Sequence, residues 1–336
     1  MADRGTRLAQ FLAAAGWGDA ARLPLPGDAS FRRYVRLAGA DGSAMLMDAP
    51  PPQENALAFL GVARLLHRLG LSAPLIHAED AEAGFLLLED FGNDTYTRLL
   101  AAGAAEAPLY ALAVDVLVAL NRRFATDHAP DLPPYDDARL LAEAALLVDW
   151  YLPAVTGRLT PPALREEYLA LWRALLPLAR GVPQTLVLRD YHVDNLMRLE
   201  GRAGIAACGL LDFQDAVLGP ASYDLVSLLE DARRDVSPDL AAAMRERFLG
   251  ALPAIDRAAF DRSYAVLGAQ RSCKIVGIFT RLCVRDGKPA YLPHIPRVWR
   301  LIEQDARHAA LAPLREWLDR HIPTAARCIP PVRPAA

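Results

Sequence analysis

The sequence predicts an α+β protein in two lobes: a small antiparallel sheet carrying one helix over residues 1–90, then a larger, mainly helical lobe over residues 91–330. Three observations carry this reading. Short apolar runs with a turn dipeptide between them fill residues 20–90. After Gly92 the pattern changes to Ala/Leu-rich segments whose apolar residues recur every three or four positions. A chain of 336 residues at 53% hydrophobic content is also long enough to bury a sizeable core.

The elements follow in order. Leu8, Phe11 and Leu12 recur at helical spacing, which predicts an amphipathic surface helix at the N-terminus rather than a secretion signal. "SFRRYVRL" reads as a strand, Asp41-Gly42 as a hairpin turn and "SAMLMDAP" as the returning strand. "PPQENALAFLGVARLLHRLG" starts after prolines and stops at Gly70, as a helix does. "APLIHAED" and "GFLLLEDFG" complete the sheet. Helices are expected near 105–126, 137–151, 162–180, 237–250, 255–285 and 296–320. Between 185 and 215, "TLVLRD", "NLMRL" and "IAACGLLDF" are short apolar strands set within the helical lobe, and the tail "PPVRPAA" is Pro-rich.

Composition narrows the partners. A formal charge of -3 offers no positive field for nucleic acid or an anionic membrane surface, which leaves a small molecule as the default. No window reaches the roughly 18 apolar residues of a membrane span. Cys208, Cys273, Cys283 and Cys328 lie far apart without CxxC spacing; buried thiols in a reducing cytoplasm are expected, not a zinc site or disulfides. Only Lys274 and Lys288 are lysines, against thirty-five arginines.

The stretch "TLVLRDYHVDNLMRL" packs acids, a histidine and an asparagine between apolar flanks. Asp190 follows one strand, Asn195 opens the next and Asp212 ends the third, so the three are expected to emerge at one end of a single hairpin-like unit. Taken singly, such acids are turn formers and caps. Together, Asn195 and Asp212 offer hard oxygen donors suited to magnesium, and Asp190 is free to orient or deprotonate a hydroxyl. That combination is what phosphoryl transfer requires, and the D-x-x-x-x-N step followed by Asp212 in "LLDFQDA" has the order found in kinases.

"LVLRDYHVDNLM" with "GLLDFQDAVLGPASYDLVSLLED" resembles the aminoglycoside phosphotransferase and choline kinase superfamily, relatives of protein kinases. "GDASFRRYVRL", "LMDAPPPQEN", "IHAEDAEAGFLLLEDFGNDTY" and "KIVGIFTRLCVRDGKPAYL" further resemble bacterial N-acetylmuramate/N-acetylglucosamine kinases, over about residues 25–300. The resemblance implies a protein-kinase-like two-lobe fold, ATP and Mg2+, and phosphorylation of the anomeric hydroxyl of a cell-wall amino sugar in peptidoglycan recycling. It implies Asp190 as base and Asn195 and Asp212 as magnesium ligands. It also implies a phosphate-covering turn at Gly27, Asp28, Ala29 and Ser30, continued by Phe31 and Arg33, and a hinge where backbone near Glu89 and Phe91 meets adenine.

Two departures stand out. Leu188 occupies the place of the usual histidine two residues before the base, so the loop must be braced otherwise. No lysine precedes Lys274, so the usual phosphate-holding lysine of the small lobe is missing; Arg32, Arg33 or Arg36 can supply its charge. Glu54, on the helix that faces that lysine in kinases, then pairs with an arginine, helps position metal or is a helix-start acid. Asp224 is expected to be a cap or loop brace.

For the acceptor, Arg271, Lys274, Arg281 and Arg285 fall on one face of the 255–285 helix and are candidates for an acidic group on the sugar; the alternative is a solvated face. Tyr135, Asp149 and Trp150 form a second candidate wall, and His192 a substrate-facing residue. The expected protein is a cytoplasmic monomer, an ATP-dependent amino-sugar kinase, with no nucleic-acid or membrane partner. The alternatives are a kinase of aminoglycosides or amino alcohols, and a nucleotide-binding pseudokinase.

Overall fold

The computed structural model describes residues 3–26, 31–40, 42–129 and 131–331. Its elements run α1 (Arg4–Ala14), β1 (Ala21–Pro24), β2 (Arg33–Gly39), β3 (Gly42–Asp48), α2 (Ala56–Arg68), β4 (Ile76–Asp80), β5 (Phe85–Glu89), α3 (Tyr96–Ala101) and α4 (Glu106–Arg123). There follow α5 (Asp137–Leu146), a π turn (Leu147–Tyr151), α6 (Leu152–Thr156), α7 (Pro162–Ala179), β6 (Gln184–Val187), β7 (Leu196–Arg198), β8 (Cys208–Leu210) and β9 (Val217–Pro220). The chain ends with α8 (Tyr223–Leu229), α9 (Pro238–Ala251), α10 (Arg257–Asp286), α11 (Ile295–Asp305) and α12 (Ala312–His321). Two compact units result, one from Met1–Val116 with Val193–Ala216, the other from Leu117–His192 with Val217–Ala336.

In the first unit β1–β5 form an antiparallel sheet in the order β1-β2-β3-β5-β4. The β2–β3 hairpin closes with Gly39 opposite Gly42. Its Asp41 is outside the described residues. Alternation on β3 sends Ala44 and Leu46 to a face where they meet Leu37, Leu87 and Leu12 of α1, so the amphipathic N-terminal helix packs on the sheet. Gly84 is obligatory there, because at φ +75 a Cβ would stand 1.9 Å from the Ala49 carbonyl oxygen. α2 starts later than its prolines indicate: Asn55 is the N-cap, accepting from the Leu57 N–H, and Glu54 stands before the helix rather than on it. β7 and β8 form a hairpin of their own in this unit.

The expected single hairpin-like unit around residues 185–215 is two. β6 pairs with β9 in the second unit, not with β7, because the chain after Asp212 turns back to run antiparallel to β6. Around that pair α10, thirty residues long, packs against α5, the π turn, α7 and α11 through an apolar core including Tyr168, Trp172, Phe279, Trp299 and Trp317. The helix expected at 296–320 is also two, α11 and α12; Pro313, which has no N–H to donate, opens the second. α3 and α8, of six and seven residues, are too short for periodicity to show. Cys208, Cys273 and Cys283 are buried free thiols, whereas Cys328 is exposed. Among the described residues no helix is long and apolar enough to cross a membrane.

One feature of this unit's core is titratable. Glu230 at the end of α8 and Asp305 at the end of α11 bring their carboxyls together over Gly268 of α10, where a Cβ would stand 2.4 Å from Asp305 Oδ2 and 2.8 Å from Glu230 Oε2. With both ionised, the facing oxygens have no donor between them; one shared proton satisfies the pair. Burial pushes Glu230 up to about 7, against the hydrogen bonding of Asp305 and Tyr264, and burial and Glu230 push Asp305 well above the carboxylate range. A carboxyl raised in the folded state contributes stability below its unfolded value, and that contribution is lost as pH rises through the folded value. Glu230→Gln, which supplies the missing donor, should therefore gain melting temperature over wild type progressively between about pH 5 and pH 8.5. Parallel melting profiles across that range would refute the shared proton.

Candidate active site

The candidate residues fall in two groups, one in each unit. In the first unit the sheet, the β5–α3 segment and the β7–β8 hairpin enclose a cavity of about 550 Å³. Leu25, Met45, Phe59, Leu88, Met197 and Leu211 make its apolar walls, while Arg32, Arg36, Glu89, Asp90, Asn195 and Asp212 bring polar groups into it. Asn195 and Asp212 are held at adjacent ends of β7 and β8, the Leu211 N–H donating to the Asn195 carbonyl at 2.9 Å. Asp212 sits at φ +55, a left-handed conformation that ends the strand, and Phe213 beside it is anchored against Phe59 at 4.9 Å. Asp194 is tied by the Thr97 hydroxyl.

Arg32 links the charges of this cavity. Its Nε lies 3.3 Å from Glu54 Oε2 and its Nη2 3.4 Å from Asp212 Oδ1, with Gln214 Nε2 donating to the same Asp212 oxygen at 2.9 Å. Glu54 Oε1 accepts the Phe31 N–H at 3.0 Å, although the Phe31 ring itself is exposed. Tyr34 lines the cavity beside them, its hydroxyl pushed up to about 12 by burial despite the opposing charge of Arg32. Of the three arginines open from the sequence, Arg33 is exposed and does not line the cavity. Arg36 pairs with Asp90 at 2.7 Å and donates to Asn93 and the Gly92 carbonyl, so it secures the segment after β5. Glu89 pairs with Arg202, and its N–H is taken by the Leu75 carbonyl. Phe91 lies against Gly209. Gly27, Asp28, Ala29 and Ser30 lie outside the described residues.

In the second unit β6 delivers the Leu188–Asp190 turn. Asp224, on α8, accepts the N–H groups of Leu188 at 2.6 Å and Arg189 at 2.9 Å, and Ser227 donates to the Arg189 carbonyl at 3.1 Å. This carboxylate supplies the brace that Leu188 does not. It holds Arg189 at φ +70, a conformation a branched-out side chain adopts only when its surroundings impose it. The Arg189 guanidinium ends on Glu143 of α5 at 2.5 Å, over the Tyr135 ring at 5.6 Å. Glu143 also accepts from Tyr135 at 2.6 Å and pairs with Lys274 of α10 at 3.2 Å. Burial pushes the half-buried Asp190 carboxyl up, but Lys274, then His192, Arg189 and Arg271, outweigh it and hold it below its usual range. His192 is buried, and burial holds its imidazole below the usual value against the pull of Asp231.

The four-residue basic stripe on α10 divides. Arg271 and Lys274 reach the Asp190 cluster, Arg271 being buried and donating to the Glu230 carbonyl at 3.1 Å. Arg281 lies two turns further along, and Arg285 is exposed and paired with Asp286 at 2.7 Å. Tyr135 is buried with its hydroxyl between Glu143 and Tyr223, so it is part of the brace rather than an open wall. Asp149 is engaged by Arg165 at 2.7 and 3.0 Å, and Trp150 is half-buried on the π turn. Sequence reasoning passed over Glu143, though an acid amid the apolar run "LLAEAALL" is itself a signal that a buried cation awaits it.

A family profile described as the phosphotransferase enzyme family matches residues 22–260. The N-acetylmuramate/N-acetylglucosamine kinase of Caulobacter vibrioides is 40% identical over 359 aligned residues, covering 97% of this chain and 98% of its own. That of Pseudomonas aeruginosa is 41% identical over 327, covering 93% and 92%. Among solved structures, a choline kinase from Streptococcus pneumoniae matches with a TM-score of 0.62 at 12% identity, over 90% of this chain and 99% of its own. The GDP complex of aminoglycoside 2'-phosphotransferase-IIIa matches with a TM-score of 0.62 at 14% identity, over 91% and 99%. These structural likenesses establish the protein-kinase-like fold.

The close approach of Phe91 to β8 is testable on its own. A Cβ at Gly209 would stand 2.8 and 2.9 Å from Phe91 ring atoms. Gly209→Ala should cost about 1–3 kcal/mol by overpacking, read as a lower denaturation midpoint at unchanged slope. Adding Phe91→Leu should restore most of that loss, and an unaltered midpoint in the single variant would show that the ring has room to move.

Proposed function

Because the chain belongs to the phosphotransferase enzyme family, we propose that it transfers the γ-phosphoryl group of ATP to the anomeric hydroxyl of N-acetylmuramate or N-acetylglucosamine. The identity of about 40% to kinases of these sugars, spread over nearly the whole chain, supports the acceptor. The observation that carries the chemistry is the braced, ionised Asp190 placed five residues ahead of Asn195, with Asp212 in the cavity that Asn195 also lines.

Asp190 accepts the proton of the anomeric hydroxyl as the sugar oxygen bonds to the γ-phosphorus and the bond to the ADP oxygen breaks. Asp212, with its half-exposed carboxylate, and Asn195 both line the cavity and offer oxygen donors that fit Mg2+, which takes few protein ligands. When bound, that ion neutralises charge on the leaving phosphates. Arg32 takes the role of the absent lysine: of the arginines lining the cavity it is the one that lies between Glu54 and Asp212. The apolar walls and Phe91 receive the adenine. On this reading residues 1–90 together with the β7–β8 hairpin serve the nucleotide and the remaining helices to residue 330 the acceptor, and the enzyme works as a monomer in the cytoplasm, where ATP is supplied, in recycling of cell-wall sugars. A pseudokinase needs neither Asp190 nor its brace.

The test is nucleotide consumption across both amino sugars, aminoglycosides and choline, with the product identified by phosphorus NMR. An anomeric sugar phosphate is expected; turnover confined to choline or an aminoglycoside overturns the acceptor. Asp190→Asn should lower turnover by about a hundredfold or more with nucleotide binding retained. Arg32→Ala should raise KM for ATP with Arg32→Lys retaining more activity, and Asp212→Ala should raise the magnesium requirement more than Asn195→Ala, since only the carboxylate brings charge. Unchanged ATP and magnesium dependence in these variants would place the nucleotide elsewhere.

A further inference from the structure

Of thirty-seven basic residues only two are lysines, and one of them, Lys274, is the charge that acts most strongly on Asp190. Its side chain is only 11% exposed and its ammonium lies 3.2 Å from Glu143 Oε1. The same oxygen takes Arg189 Nη2 at 2.5 Å, while Oε2 takes the Tyr135 hydroxyl at 2.6 Å and Gln270 Nε2 at 3.4 Å. Glu143 thus gathers donors from the Asp190 turn, from the segment before α5 and from α10. Two cations sharing one carboxylate leave net positive charge beside Asp190, and that charge is held in place by an anchor whose side chain is only 12% exposed.

We propose that Glu143 and Lys274 are positioning residues for Asp190: Glu143 fixes Arg189 and Lys274, and Lys274 keeps the neighbouring carboxylate in its proton-accepting form. The inference rests on Asp190 being the base. An ammonium suits the task better than a guanidinium, since it is a compact point charge and leaves the planar fork to Arg189. The other groups acting on Asp190 are His192, Arg189 and Arg271, together with the buried Asp224 behind the turn. Of these charges Lys274 acts most strongly on Asp190, ahead of His192, Arg189 and Arg271, so its removal changes the field most.

The sign follows directly. Lys274 lowers the Asp190 value, so Lys274→Met should move the acid limb of the kcat/KM profile to higher pH, while Lys274→Arg, keeping the charge, should leave it in place. Glu143 in Lys274→Met still has Arg189 and Tyr135, so no buried charge is left unpaired. Glu143→Gln keeps both cations but loosens them: kcat should fall about 10- to 100-fold with KM for ATP unchanged and no upward move of the limb. A merely structural role would lower the melting temperature without moving any limb. Lys274→Gln keeps a donor toward Glu143 and carries the same expectation, so a Lys274→Met chain that fails to fold leaves the test standing.

The profiles are measured with whichever acceptor the wild type phosphorylates, after Asp190→Asn has been shown inactive. An active Asp190→Asn sinks the assignment of the base itself. With that assignment intact, an acid limb that stays in place in both uncharged Lys274 variants overturns the positioning role alone, as does a loss confined to KM for the acceptor, which would make Lys274 a substrate contact.

Discussion

Two carboxylates, the buried Asp224 and the half-buried Glu143, hold the turn that carries Asp190. Asp224 accepts two successive backbone N–H groups from Leu188 and Arg189, and Glu143 takes the Arg189 side chain. A left-handed Arg189 is a costly conformation, and it persists because both its backbone and its guanidinium are held from opposite directions. Burial raises Asp224 to about 7, an effect its two N–H donors and Arg271 oppose, so the brace is strongest once that carboxyl ionises. Every other group in the second unit's cluster, Lys274 and Tyr135 included, is arranged around these two acids.

The first unit meets a different constraint. Its cavity holds the carboxylates of Asp90 and Asp212, and the sheet carries no lysine to face them. Arg32 reaches in just ahead of β2 and touches Glu54 and Asp212 at 3.3 and 3.4 Å, distances loose enough for a ligand or ion to compete for the guanidinium. Arg36, two turns of the pleat further on, is fully committed to Asp90, Asn93 and Gly92, which is why two arginines so close in sequence serve different ends. The chain thus uses arginine where a planar fork bridges several acceptors, and sets a half-buried lysine as a point charge near Asp190.

Much of this was legible in the residues. Period-two and period-three-to-four patterns located the sheet strands and the long helices, and the order Asp190, Asn195, Asp212 singled out the segment that leaves β6 and runs through the β7–β8 hairpin. Motif order is a local property, because strand ends and tight turns need particular residue types wherever the chain goes next. The pairing of β6 with β9, the placing of Tyr135 inside a brace and the split of the α10 basic stripe were not legible. Each depends on a residue dozens of positions away: Pro220 opposite Gln184, Tyr223 at the Tyr135 hydroxyl, Glu230 at Arg271.

The sequence by itself determined which side chains are available for the chemistry and that the first lobe must do without lysine, since composition and spacing are complete in one dimension. Tertiary structure alone decided that Arg32 and Arg36 but not Arg33 line the cavity, that Arg271 and Lys274 but not Arg285 act on Asp190, and that Asp224 rather than a histidine steadies the turn. Those outcomes are set by burial. A charged group taken out of water must find an opposite charge or a donor close by, and only the packed chain specifies which partner is within reach.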